Sequence, residues 1–325
     1  MKLASLKQGG RDGTLIVVNR ALDRAVIAAD IAPTLQAALD DWSNLAPRLN
    51  ALADQLERGA IDGFALDFHA LAAPLPRAYE FVDGSAYLPH VERVRRARGA
   101  KVPESFYVDP LMYQGVSAGF YGPRDPVLLP SEDDGIDLEA EVIVITDDVP
   151  MAVDALSARE HIQLVGLIND VSLRNLIPAE LEKGFGFLQS KPRSTLSPVL
   201  VTPDELAANW RDAKLHLALL STINGSPLGA PEAGEDMQFD FGQLIAHAAK
   251  TRPLTAGTIV GSGTVANQDE ARGASCFAEK RMLEIIRDGK PSTPFMRFGD
   301  RVKIDMLDAQ GASIFGSIEQ EMRQG

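Results

Sequence analysis

The spacing of apolar residues changes once in the first quarter of the chain. Between residues 2 and 29, short apolar runs alternate with turn signals: Leu3 to Leu6, Gly9-Gly10-Arg11-Asp12-Gly13, Thr14-Leu15-Ile16-Val17-Val18, and Val26-Ile27-Ala28. This pattern predicts a small β-meander. From Pro33 to Ile61 the period becomes helical, with Leu35, Leu39, Trp42, Leu45, Leu49, Leu52 and Leu56 on one face, and Pro47 predicts a break between two helices. In Leu71-Ala72-Ala73-Pro74-Leu75-Pro76 each proline restricts the residue before it, so extended backbone and a domain boundary are expected there. The expected organisation is a small N-terminal β/α domain over 1–75 and a main domain over 76–325.

The main domain reads as many short strands with few helices. Val142-Ile143-Val144-Ile145-Thr146, Leu196 to Val201, Thr258-Ile259-Val260 and Val302-Lys303-Ile304 are the β-rich runs of buried strands. Residues 157–168, 238–249 and Phe277 to Ile286 have helical period. No internal repeat is visible. The mixture predicts an α+β, β-rich body with antiparallel and mixed sheet.

Composition narrows the function classes. Of 325 residues, 45% are hydrophobic and 24% charged, and the single Cys276 can form no internal disulfide. The net charge of −13 repels phosphate backbones and anionic lipid, which argues against nucleic-acid and membrane partners. No stretch approaches the roughly 18 apolar residues of a membrane span, and Met1-Lys2-Leu3-Ala4-Ser5 leads into Gly9-Gly10 instead of a signal-peptide core. A cytoplasmic location is therefore expected.

Several residues carry candidate chemistry. Glu139 and Glu141, in Leu138-Glu139-Ala140-Glu141-Val142, project from one face of a strand about 7 Å apart, close enough to share one ion. An isolated Glu-x-Glu is ordinarily a solvated strand face. This one leads straight into a doubly buried strand, where unpaired carboxylates are costly and a hard divalent cation would neutralise them. Asp170, in Asn169-Asp170-Val171-Ser172-Leu173-Arg174, is a further carboxylate, although by itself such a motif is more often a helix N-cap with an i, i+4 pair to Arg174. His90 has the side-chain chemistry of a general base, although a lone histidine is more often structural. Two familiar patterns fail on context. Gly115-Val116-Ser117-Ala118-Gly119 matches a nucleophile elbow, but Gly122-Pro123-Arg124-Asp125-Pro126 follows, where no helix can start. Gly261-Ser262-Gly263-Thr264-Val265-Ala266 follows a strand but runs into a loop, which leaves a tight turn offering backbone N–H groups to an anion.

Taken in order, Leu138-Glu139-Ala140-Glu141-Val142, Asn169 to Arg174, Ser190-Lys191-Pro192-Arg193-Ser194-Thr195-Leu196-Ser197-Pro198 and Gly261-Ser262-Gly263-Thr264 resemble the fumarylacetoacetate hydrolase family over roughly residues 79 to 318. The resemblance implies a catalytic domain of mixed β-roll type and an acidic quartet, Asp83, Glu139, Glu141 and Asp170, that binds Mg²⁺, Mn²⁺ or Ca²⁺, with Lys191 and Thr195 in the same metal site. Asp83 precedes His90 by seven positions, as the family's ligand precedes its catalytic histidine. By the same carry-over His90 activates water, Glu279 orients it, and Lys191 and Arg174 meet an oxyanion. Tyr113 contacts substrate, and Thr264 meets the substrate carboxylate. One departure is plain: the family's hydrolase of tyrosine breakdown has a glutamine three residues after this arginine, where this chain has Ile177 followed by Pro178.

The resemblance implies a metal-dependent hydrolase of a carbon–carbon bond in a 1,3-diketo acid, fumarylacetoacetate or an acylpyruvate. A diketone chelates one hard cation, which stabilises the expelled enolate. The alternatives are a 2-oxo acid hydratase or decarboxylase, or a silent relative that binds a small oxo acid. A homodimer is expected.

Overall fold

A computed structural model describes residues 1–97 and 101–325 of the chain. Among these, the main sheet has 11 strands. Its order is Phe64–Ala65, Arg24–Ile27, Thr14–Val18, Lys2–Leu6, Leu200–Val201, Ile162–Asn169, Ala140–Thr146, Ile259–Gly261, Phe81–Gly84 and Met112–Gln114, with Thr195–Leu196 also on Ile162–Asn169. Neighbours are antiparallel except Ile259–Gly261 and Phe81–Gly84. A second sheet of five strands runs Ser226–Gly229, Leu220–Ile223, Arg301–Asp305, Ile318–Gln324 and Val127–Leu129. This is the expected sheet-rich α+β architecture.

Alternation along the central strand divides two cores. Val142 and Val144 pack with Val302, Ile304, Ile318 and Met322 of the second sheet. Ile143 and Ile145 pack on the other face with Leu35, Leu39, Leu49 and Leu56 of the N-terminal helices. Burial on both faces is why the sequence there is a continuous apolar run.

The same effect explains one difference from the sequence expectation. Residues 157–168 are not one helix: Ala155–Ala158 and Arg159–His161 form short helical turns, and Ile162–Asn169 is a strand. Its seven buried positions of eight leave no polar face, so periodicity cannot separate helix from strand. Pro47 does not break its helix either. Trp42–Glu57 runs through it, and the break lies at Asp40 and Asp41. Pro47 is on the exposed side near the helix start, and the Ser43 carbonyl it leaves unpaired belongs to an exposed residue that water can reach. The run Leu196 to Val201 is two short strands, because Pro198 has no N–H for the ladder and Val199 instead donates to Phe315.

Of residues 71–76, Leu71 is bridged to Leu6 and Ala72 donates its N–H to the Ser5 carbonyl, whereas Pro74, Leu75 and Pro76 lie in a bend and not in the extended backbone expected there. The strands before and after this segment share the main sheet, through Lys2–Leu6 against Leu200–Val201. No described helix is long and apolar enough to cross a membrane.

Candidate active site

The apolar face that carries Phe81, Ile143 and Ile168 changes character at one end of the sheet. Two residues beyond each, the alternation that placed an apolar side chain there places Asp83, Asp170 and, on the antiparallel strand, Glu141. Ligand atoms of these three lie within 4.8 Å of one another, and all three residues are buried. Gly261, between their strands, makes room for them. A Cβ there would stand 2.2 Å from Asp83 Oδ1 and 3.2 Å from Glu141 Oε2.

The three carboxylates are satisfied unequally. Asp170 accepts from the Tyr113 hydroxyl and from Lys191 Nζ at 2.6 Å on one oxygen, and from Ser194 Oγ at 2.7 Å on the other. Asp83 Oδ1 accepts the Gly263 N–H at 3.0 Å. That amide is therefore not offered to an outside anion, as the glycine turn alone suggested. Both oxygens of Glu141 are buried with no hydrogen-bond partner. Burial first, and Asp170 second, push the Asp83 carboxyl up to about 8, and burial with Asp83 and Asp170 raises Glu141 well above its ordinary value.

Glu139 has the opposite surroundings. It lies outside the three-carboxylate cluster, bonded on one oxygen by Arg174 and on the other by Lys191 Nζ at 2.6 Å. Burial would raise its carboxyl, but Arg174 and Lys191 outweigh it and hold the group far below its ordinary range. Lys191 thus bridges Glu139 and Asp170. Burial alone would lower its ammonium, yet the two carboxylates hold it protonated. As an ammonium between Glu139 and Asp170, Lys191 is a counter-charge of the pocket in this structure. Thr195 Oγ1 is buried and unpartnered opposite Asn169, and Thr264, just beyond Gly263, is nearly buried.

The candidate proton acceptor stands on a helix pair. Leu88–Ala97 carries His90, and Phe277–Asp288 carries Glu279. His90 Nδ1 lies 3.1 Å from Glu279 Oε2. Because a carboxylate only accepts, a neutral imidazole in this contact carries its proton on Nδ1 and leaves Nε2 as the acceptor. Sequence reasoning missed Arg93, one turn after His90, which bonds Glu279 Oε1 and the carbonyls of Asn267 and Gln268.

It also missed Asp137, the residue that ties the two halves together. Asp137 is fully buried. It accepts the N–H groups of Phe277 at 2.7 Å and Ala278 at 2.8 Å, at the start of the Glu279 helix, and pairs with Arg174 Nε at 2.9 Å. Arg174 then reaches Glu139. The available signal was parity: Asp137, Glu139 and Glu141 are alternate residues. Cys276 caps the same helix, its Sγ accepting from Glu279 N at 3.3 Å, and burial pushes its thiol up.

A hard divalent cation fits this pocket. Among the described residues, five buried acids, Asp83, Asp137, Glu139, Glu141 and Asp170, have two cations between them, Lys191 and Arg174, and the unpartnered carboxylate oxygens are those of Glu141, on the cluster side. An all-oxygen donor set suits Mg²⁺, Mn²⁺ or Ca²⁺.

Residues 80–323 match the family described as Fumarylacetoacetate (FAA) hydrolase C-terminal, and residues 1–77 match Fumarylacetoacetase N-terminal domain 2. A 2,4-didehydro-3-deoxy-L-rhamnonate hydrolase of Sphingomonas sp. is 28% identical over 159 residues, 48% of this chain and 53% of that protein. The match thus spans about half the length of that relative. A mitochondrial oxaloacetate tautomerase of Bos taurus is 26% identical over 212 residues, 64% of this chain and 62% of that one. Among solved structures, maleylpyruvate hydrolase from Sphingobium sp. SYK-6, in complex with manganese(II) and pyruvate, superposes with a TM-score of 0.66 at 16% identity over the whole of both chains. At that identity the likeness shows the fold.

Proposed function

Given that the chain belongs to the fumarylacetoacetate hydrolase family, we propose that it is a divalent-metal-dependent hydrolase that cleaves a carbon–carbon bond in a small 1,3-diketo acid of the acylpyruvate type. The observation that carries this reading is the His90–Glu279 pair, at 3.1 Å, joined through Asp137, Arg174 and Glu139 to the carboxylate pocket. A hard ion held by Asp83, Glu141 and Asp170 would supply Lewis-acid polarisation of the chelating oxygens.

The rest of the chemistry belongs to the chain. His90 Nε2 takes a proton from water, and Glu279, clamped by Arg93, holds the ring and stabilises the imidazolium. The hydroxide attacks the adjacent carbonyl. Lys191 has one N–H beyond its two carboxylate bonds, and Arg174 has a terminal nitrogen outside its bonds to Asp137 and Glu139, so both can donate to the oxyanion. As the carbon–carbon bond breaks, the imidazolium returns its proton to the enolate. Tyr113, bonded to Asp170, forms one wall with Phe187, whose ring centroid is 5.1 Å away.

A second reading, proton transfer without cleavage on an oxo diacid, draws on the tautomerase relative and on Ile177. This residue opens the Ile177–Glu182 helix where the resemblance calls for a glutamine, so the site has one donor fewer. Separate incubations with acetylpyruvate, fumarylacetoacetate and oxaloacetate, with product identification, decide between the two. Carboxylic acid and methyl ketone or pyruvate from a diketo acid, lost in EDTA and restored by Mg²⁺, support the hydrolase. Conversion of oxaloacetate alone refutes it, and metal binding with no turnover on any of the three points to a silent relative. The working form in this reading is a homodimer, which sedimentation checks.

A further inference from the structure

We propose that Cys276, His90 and Glu279 form a second metal site, separate from the carboxylate pocket, that takes a borderline-soft divalent ion such as Zn²⁺ and silences the proton acceptor when filled. One ligand atom from each residue lies within 4.8 Å of the other two, and Cys276 and Glu279 are fully buried. The chain has one cysteine and five histidines, and the cysteine stands beside the histidine of the base pair. The proposed reaction gives the thiol no task.

Local structure assembles the set. Cys276 is the N-cap of the Phe277–Asp288 helix and Glu279 its third residue, positions whose side chains face each other across a helix start. His90 is delivered by the packed helix Leu88–Ala97. Its Nδ1 is 3.1 Å from Glu279 Oε2, close to the roughly 3.3 Å between two donors on a tetrahedral ion with bonds of about 2.0 Å. The partly exposed imidazole edge gives an ion its entry. Glu279 can ligate through Oε2 while Arg93 keeps Oε1.

Donor chemistry separates the two sites. Sulfur with nitrogen and one carboxylate selects Zn²⁺ or Cd²⁺, whereas the all-oxygen pocket selects Mg²⁺ or Mn²⁺. Three protein ligands also leave a fourth position open to water. On binding, the ion replaces the proton between Nδ1 and Oε2. The imidazole proton moves to Nε2, the thiol proton leaves to solvent, and three metal–ligand bonds form. One proton is released and no electrons are exchanged. With Nε2 now carrying hydrogen, the lone pair that would accept the water proton is gone.

The test is a Cd²⁺ titration of the full chain in excess Mg²⁺, read by the ultraviolet thiolate-to-metal charge-transfer band and without substrate, so that it stands apart from the hydrolase reading. One equivalent of Cd²⁺ is expected to raise the band, and Zn²⁺ to remove it. Cys276→Ser, which keeps a capping oxygen, should abolish it, and His90→Ala should weaken Cd²⁺ binding by roughly tenfold or more. Absence of the band in the Mg²⁺-saturated protein, or a band of unchanged affinity in His90→Ala, overturns the proposal.

Discussion

Glu139 and Glu141 sit two residues apart in one segment, and the protein treats them in opposite ways. Around Glu139 the chain supplies its own cations, Arg174 and Lys191, and the carboxyl is held far down. Around Glu141 it supplies none, and burial beside Asp83 and Asp170 drives the carboxyl up. A buried acid whose charge is balanced within the chain needs nothing more, whereas a cluster that includes a carboxylate with no partner on either oxygen is short of positive charge. The base end follows the first pattern: both oxygens of Glu279 are committed, to Arg93 and His90. Among the described carboxylates of the site, the ones left with both oxygens unpartnered are in the Asp83–Glu141–Asp170 corner, on Glu141.

The sharpest way to break that contrast is Glu141→Gln. It should weaken divalent-metal binding by roughly 100-fold in calorimetric titration, since it replaces a carboxylate that has no other work with a neutral amide. Retained affinity would place the ion elsewhere. His90→Ala should cost roughly 10²–10⁴ in turnover of the cleaved diketo acid and leave the Mn²⁺ dissociation constant unchanged. Equal losses in both would merge the two ends that the structure separates. Glu139→Gln should destabilise the metal-free protein by roughly 3–5 kcal/mol in denaturant unfolding, because it strands part of the charge on Arg174 and Lys191.

The smallest effect concerns the loop that delivers Lys191. Burial would raise the Glu180 carboxyl, but the Ser190 hydroxyl and the N–H groups of Leu188, Gln189 and Ser190 hold it down at about 2. A depressed carboxyl stabilises the fold above its unfolded value, near 4.5, and that contribution is lost as pH falls from there toward 2. Unfolding of Glu180→Gln should therefore show a weaker acid dependence than the parent between those limits. Identical profiles would remove Glu180 as the anchor.

Much of the site was legible because its residues lie in contiguous motifs with chemical meaning. Glu139-Ala140-Glu141 stood out through strand parity alone, although the strand begins at Ala140 and Glu139 lies just before it. Arg93 and Asp137 were not legible, because each acts through atoms more than 130 residues away, Arg93 on Glu279 and Asp137 on the Phe277 and Ala278 amides. The fold shows the same limit. Amphipathic elements such as Phe277–Asp288 announced themselves, whereas Ile162–Asn169, apolar on both faces, read as helix because two cores erase the polar side that period detection needs. Pro47 misled for the converse reason, since its unpaired carbonyl is on a solvated turn.

The central claim is that one corner of the sheet waits for a cation. Diffraction from crystals grown with Mn²⁺, measured across the manganese absorption edge, tests it directly. A single strong anomalous peak within bonding distance of oxygens from Asp83, Glu141 and Asp170, with Lys191 alongside but not ligating, is the predicted result. A peak beyond reach of those three carboxylates, or none at saturating metal, would contradict the account.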